Sequence, residues 1–150
     1  MKRILIATDG SAAAQHAVEL GVELAKHEDA AIAFVHVLPL SYFVPTNGFG
    51  LVGGVPYELT ASDEAVLDDA MAVADREGVP AISRLLRGDA ATEIIAYADL
   101  IGVDLIVVGS RGHGTIASTL LGSVSRGVLT HSETPVMVVR AVPVQEPVIA

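Results

Sequence analysis

Between Leu105 and Ser123 the chain sets glycines and serines where a phosphorylated ligand could meet bare backbone. An apolar run, Leu105-Ile106-Val107-Val108, passes straight into Gly109-Ser110-Arg111-Gly112, and Gly122-Ser123 follows nine residues later. Two glycines three apart beyond a buried strand let the main chain approach a ligand closely, and a later Gly-Ser pair presents amides and a hydroxyl at a helix start. Other chemistries fare worse. Neither Lys2 nor Lys26 follows a glycine, so no Walker loop exists. Gly112-x-Gly114-x-x-Ala117 imitates a dinucleotide fingerprint, but it starts too far beyond the strand, and Glu133 precedes the next strand instead of ending it. Ser11, Ser110 and Ser123 lack the Gly-x-Ser-x-Gly frame of a hydrolase elbow. The histidines are too scattered for zinc.

These residues need a scaffold, and strand and helix periods alternate along the chain to supply one. Arg3 to Thr8 reads as a buried strand, and Thr8-Asp9-Gly10-Ser11 as a turn opening a helix that runs to about His27. Ala31–Leu38 is a second strand. Ala61–Glu77 is a helix with Ser62 as its expected N-cap and Gly78 as its stop. Ala81–Leu86 is a more polar strand, expected near a sheet edge. Asp89–Leu100 is a helix capped by Asp89 or Thr92 and ended by Gly102. Asp104–Val108, a helix over Val124–His131 and the strand Pro135–Arg140 complete the series. Strands separated by single helices predict parallel pairing with right-handed crossovers, hence one doubly wound α/β domain over residues 1–150 with helices on both faces. Placing both glycine-bearing loops at a switch point predicts the five-stranded order 3-2-1-4-5. Pro39–Thr60 is expected to be a long flexible loop, either a disordered insertion or a mobile cover over the strand ends or a partner surface, since it gathers Tyr42, Phe43, Phe49 and Tyr57 among glycines and prolines. Residues 141–150, with Pro143 and Pro147, read as a tail.

A net charge of -9, with cations scattered singly, argues against nucleic acid and anionic membrane surfaces. No apolar window approaches the length of a membrane span. The start Met1-Lys2-Arg3-Ile4 reads as the opening strand rather than a signal segment. Cysteine is absent, which removes disulfide and thiolate chemistry and fits a reducing compartment; the expected location is cytoplasmic.

Several motifs in order carry a resemblance: Ile4-Leu5-Ile6-Ala7-Thr8-Asp9-Gly10-Ser11, Val35-His36-Val37, Asp104 through Gly112, Leu120-Leu121-Gly122-Ser123-Val124-Ser125, and Thr134-Pro135-Val136-Met137-Val138-Val139-Arg140. The chain resembles the universal stress protein family from end to end, and its glycine series is similar to that of the ATP-binding branch. The resemblance implies an adenine nucleotide, ATP, ADP or AMP, with Mg²⁺ or Mn²⁺. It places Asp9 near the ribose and phosphates, with the metal as a further role; the plainer role is a helix N-cap. Ala7 and Val37 fall around the adenine, Val108 and Gly109 on the ribose side, and Gly112, Gly122, Ser123 and Val124 in the phosphate cradle, with Thr8 a further residue of the site. Many members carry basic residues after the second glycine, whereas His113 to Leu121 here offers His113 alone. That lowers the charge available to a γ-phosphate; Arg111 is either a partial substitute or a solvated loop cation. His36 reads as a structural histidine.

Three functions fit these residues. One is a regulatory domain that binds ATP or another adenine nucleotide. The second is a slow ATPase or phosphotransferase, for which no base or arginine finger is fixed by spacing. The third is a nucleotide-free scaffold. All three accommodate a homodimer through the apolar edge strand 135–140, the pairing that the family resemblance implies.

Overall fold

A computed structural model describes residues 1–46, 48, 50–112 and 121–141. Its elements are β1 (Arg3–Ala7), α1 (Ala12–Glu28), β2 (Ala31–Leu38), β3 (Ser41–Thr46), β4 (Gly50–Pro56), α2 (Ala61–Arg76), β5 (Ala81–Arg87), α3 (Ala90–Ile101), β6 (Leu105–Gly109), α4 (Ser123–His131) and β7 (Val136–Val139). The expectations for Phe49, His113 and the tail beyond Ala141 fall outside the described residues.

Five strands pair in parallel in the order β5-β2-β1-β6-β7. With β3 and β4 set aside, this is the topology expected as 3-2-1-4-5. Strand alternation sorts the apolar side chains into two layers. Ile4, Ile6, Phe34 and Val107 pack under α1 and α2, whereas Leu5, Val35, Ile106 and Val108 pack under α3 and α4. Ile4, Leu5 and Ile6 are fully buried, each worth about 1.5–3 kcal/mol against exposure. The central strand is therefore immobilised from both faces, and its carboxyl end is a firm mount for Thr8 and Asp9. The more polar strand is indeed an edge, β5, where Ser83, Arg84 and Arg87 are exposed.

Two expectations need correcting. Pro39–Thr60 is not one long loop, because β3 and β4 form an antiparallel hairpin with a register shift between Tyr42 and Val44. The aromatic and β-branched residues of the first arm and the valines of the second suit extended pairing, and Gly48 between them supplies φ +87°. The N-cap of α2 is Thr60, not Ser62. The Thr60 hydroxyl accepts from the Asp63 amide while the Asp63 carboxylate accepts from the Thr60 amide, a reciprocal box that an exposed Ser62 inside the first turn cannot build. Asp89 caps α3 and Gly102 ends it in the left-handed region, as expected.

Candidate functional site

Strand order reverses between β1 and β6, and a cleft opens beyond their carboxyl ends, where ligands of open α/β sheets sit. Ala7, Thr8, Asp9, Val37, Val108, Gly109, Arg111, Gly112, Gly122, Ser123 and Val124 all line this cleft. Its apolar half is built by Ala7, Val35, Val37 and Val108 from the strand ends, with Ala90 and Ile94 of α3 as the opposite wall. Its polar half is the turn Thr8–Ser11 facing Arg111, Gly112 and the start of α4. Sequence reasoning missed Ser11, Ala14, Val35, Ala90, Ile94 and Ser125 as lining, and read His36 as structural only. Ala90 and Ile94 occupy i and i+4 of α3, a spacing that marks one helix face without revealing that the face overhangs a cleft.

Within the turn, the Ser11 amide donates to Asp9 Oδ1 at 2.9 Å, and the Ala14 amide donates to Ser11 Oγ at 3.3 Å. Ser11, not Asp9, is thus the N-cap of α1; Asp9 sits two residues too early to reach the second or third helical amide. The two glycines after β6 have different tasks. A Cβ on Gly109 would lie 2.8 Å from the Ala13 carbonyl carbon and the Ala14 nitrogen, so Gly109 lets α1 press onto the sheet. A Cβ on Gly112 would lie 2.3 Å from Asp9 Oδ2, so Gly112 lets that carboxylate rest against the loop backbone. Arg111 is half-buried rather than exposed, and its carbonyl accepts from Ser11 Oγ at 3.4 Å.

The far end of the glycine segment is also fixed. The Ser110 carbonyl accepts from the Gly122 amide at 2.6 Å and from Ser125 Oγ at 3.0 Å. Gly122 is the N-cap of α4 and brings no side-chain cap, whereas α1, α2 and α3 are capped by Ser11, Thr60 and Asp89. Among the described residues no side chain caps the first amides of α4, and its dipole favours an acceptor at that end. Ser123 and Val124 are exposed there.

Behind the cleft lies a buried polar network. His36 Nδ1 is 3.0 Å from the Thr8 carbonyl oxygen, and His36 Nε2 is 3.0 Å from Asp63 Oδ1. Asp63 Oδ2 accepts from the Tyr57 hydroxyl at 2.9 Å, the Thr60 amide at 3.0 Å and the Thr60 hydroxyl at 2.8 Å. Burial works against the Asp63 charge, but donation from His36, Thr60 and Tyr57 outweighs it and holds the carboxyl well below the ordinary range. The same hydrogen bond, with desolvation and the carboxylate charge, raises the Tyr57 phenol. Among the described residues, no three His, Asp or Glu side chains gather as metal ligands, and no helix is long and apolar enough to cross a membrane.

A doubly wound sheet with a glycine-lined cleft at its switch point defines a class of α/β ligand-binding domains, and comparison narrows it. The model of the universal stress protein family matches residues 1–140, and the chain belongs to that family. Universal stress protein YxiE of Bacillus subtilis is 33% identical over 145 residues, covering 92% of this chain and 98% of the relative. A crystal structure of a universal stress protein in complex with cAMP superposes with a TM-score of 0.69 at 27% identity, covering 94% of this chain and 98% of that one. An Arabidopsis thaliana family member with AMP bound shares the fold, with a TM-score of 0.67 at 20% identity over 99% of this chain and 97% of that one.

Proposed function

We propose that this chain is a cytoplasmic regulatory domain that binds an adenine nucleotide through Gly109-x2-Gly112-x9-Gly122-Ser123. One observation carries the proposal: the cleft pairs an apolar slot between strand ends and α3 with an uncapped helix N-terminus opposite Asp9 and Arg111. A planar base suits the first part and a phosphate the second. The crystallised relatives with cAMP and AMP support the same ligand class. Asp9 faces the phosphate end, and a Mg²⁺ or Mn²⁺ ion arriving with a di- or triphosphate would take Asp9 as its protein ligand and the phosphates as the rest. Hydrolysis is no part of the proposal, since His36 already engages both ring nitrogens and is no free base.

In the proposed assembly two copies pair through residues 135–140. Support comes from the sheet edges, because β5 exposes two arginines and a serine while β7 is Val136-Met137-Val138-Val139 without a charge.

Nucleotide analysis of the purified, denatured chain, followed by thermal unfolding with AMP, ADP or Mg-ATP, tests the binding proposal. Ligand at about 100 times its Kd should add roughly 2.7 kcal/mol. No co-purifying adenine nucleotide and no stabilisation by any of the three would overturn it.

A further inference from the structure

The His36 ring is held between two acceptors. Thr8 contributes a carbonyl oxygen, which can only accept, and Asp63 contributes a carboxylate that also receives the Tyr57 and Thr60 donors. A neutral imidazole has one N–H and one lone pair, so it would set a lone pair against an oxygen at 3.0 Å on one side. With Asp63 ionised, only the doubly protonated ring satisfies both contacts. The ring is also buried, His36 being 7% exposed.

The ends of this bridge matter for the cleft. Thr8 is clasped to β2 twice, by its amide on the Val35 carbonyl at 2.9 Å and by its carbonyl on His36. Immediately after it comes Asp9, which with Thr8 lines the proposed phosphate side of the cleft. Asp63 opens α2 and ties in the hairpin exit through Tyr57. We propose that His36, as an imidazolium bridging Thr8 and Asp63, is a positioning residue that sets the Thr8–Asp9 turn for nucleotide and makes binding sensitive to proton loss. The proposal rests on the nucleotide reading above.

Groups facing the ring come from each neighbouring element. The end of β1 brings the Thr8 carbonyl, with Asp9 in the next turn. The start of α2 brings Asp63, with the Tyr57 hydroxyl on its second oxygen. From β5, Leu85 is the register partner of His36, and Arg87 reaches the Tyr57 carbonyl at 3.1 Å. Asp63 is the anion in contact with the imidazole, and its other oxygen is already filled by the Tyr57 and Thr60 donors. Loss of a ring proton must therefore open one of the two contacts. With that contact goes the setting of the Thr8–Asp9 turn, so ligand alignment depends on the ring keeping both protons.

The test uses the full chain labelled with ¹⁵N, with AMP as the probe. Ring-nitrogen NMR follows the protonation of His36, and calorimetry follows AMP affinity over the same pH series. Two protonated ring nitrogens are expected where AMP binds tightly, with affinity falling roughly tenfold as His36 loses a proton, the scale of one charged hydrogen bond. Asp63→Asn should move the NMR midpoint and the affinity midpoint together to lower pH. Tyr57→Phe, which leaves the capping box intact, should move both in the same direction by less. A singly protonated ring at full AMP affinity, or an affinity indifferent to His36 titration, overturns the positioning role alone. Failure of the wild-type chain to bind AMP at any pH instead refutes the nucleotide reading, and this proposal with it.

Discussion

A methyl group added at Gly109 or at Gly112 meets very different neighbours, and the contrast separates folding from binding. At Gly109 it meets main chain of α1 at 2.8 Å, which cannot swing away. Gly109→Ala should cost about 1–3 kcal/mol in urea unfolding, as overpacked sites do. At Gly112 it meets a carboxylate oxygen of Asp9 at 2.3 Å, the far end of a side chain that can rotate. Gly112→Ala should stay within about 0.5 kcal/mol of wild-type stability while losing most of the AMP-induced thermal shift, because Asp9 is driven from its place. Equal damage to stability from both substitutions would show that the second glycine is also a packing device. The spacing of these glycines was visible in the sequence, but the division of labour was not. That division depends on which α1 and β1 atoms the crossovers bring alongside, and spacing carries no such information.

The elements were legible wherever a periodic apolar face coincided with its own punctuation. Asp89 and Gly102 bracket α3 in the sequence as in the structure, because a capping carboxylate and a left-handed glycine act locally. A hairpin and a cap were missed where the signal was local but outvoted. Asn47-Gly48 announces a hairpin, yet the surrounding glycines and prolines read as loop. Thr60 precedes a serine that is equally good as a cap on paper, and only Asp63 three residues on decides between them. At this scale Asp89 offers a pH test. Hydrogen bonds from the Thr92 hydroxyl and amide lower its carboxyl, so its contribution is present above the unfolded value of about 3.9 and is lost as pH falls through the folded one. Asp89→Ala should cost about 0.5–2 kcal/mol at neutral pH. Asp89→Asn keeps an acceptor at the cap, so it should match wild type there and lose less stability than wild type on acidification, as measured by unfolding midpoints across the acid range.

For the whole molecule, the two sheet edges differ in a way that bears on assembly. The Pro135 and Val139 carbonyls bond to amides of Ile106 and Ser110, so strand alternation turns the backbone groups of Val136 and Val138 outward. Val138→Pro removes one outward donor without touching the ladder to β6. Light scattering should show a dimer for the wild type and a monomer for this variant with unchanged circular dichroism; a monomeric wild type would end the pairing proposal. The clasp at Ser110 has a consequence of another kind. Its carbonyl gathers the Gly122 amide and the Ser125 hydroxyl, so the end of β6 and the start of α4 are pinned together. Doubling the sequence length between two pinned points costs only about 0.6 kcal/mol in closure entropy. A segment of other length or charge grafted between them from a relative should therefore leave the framework folding as before.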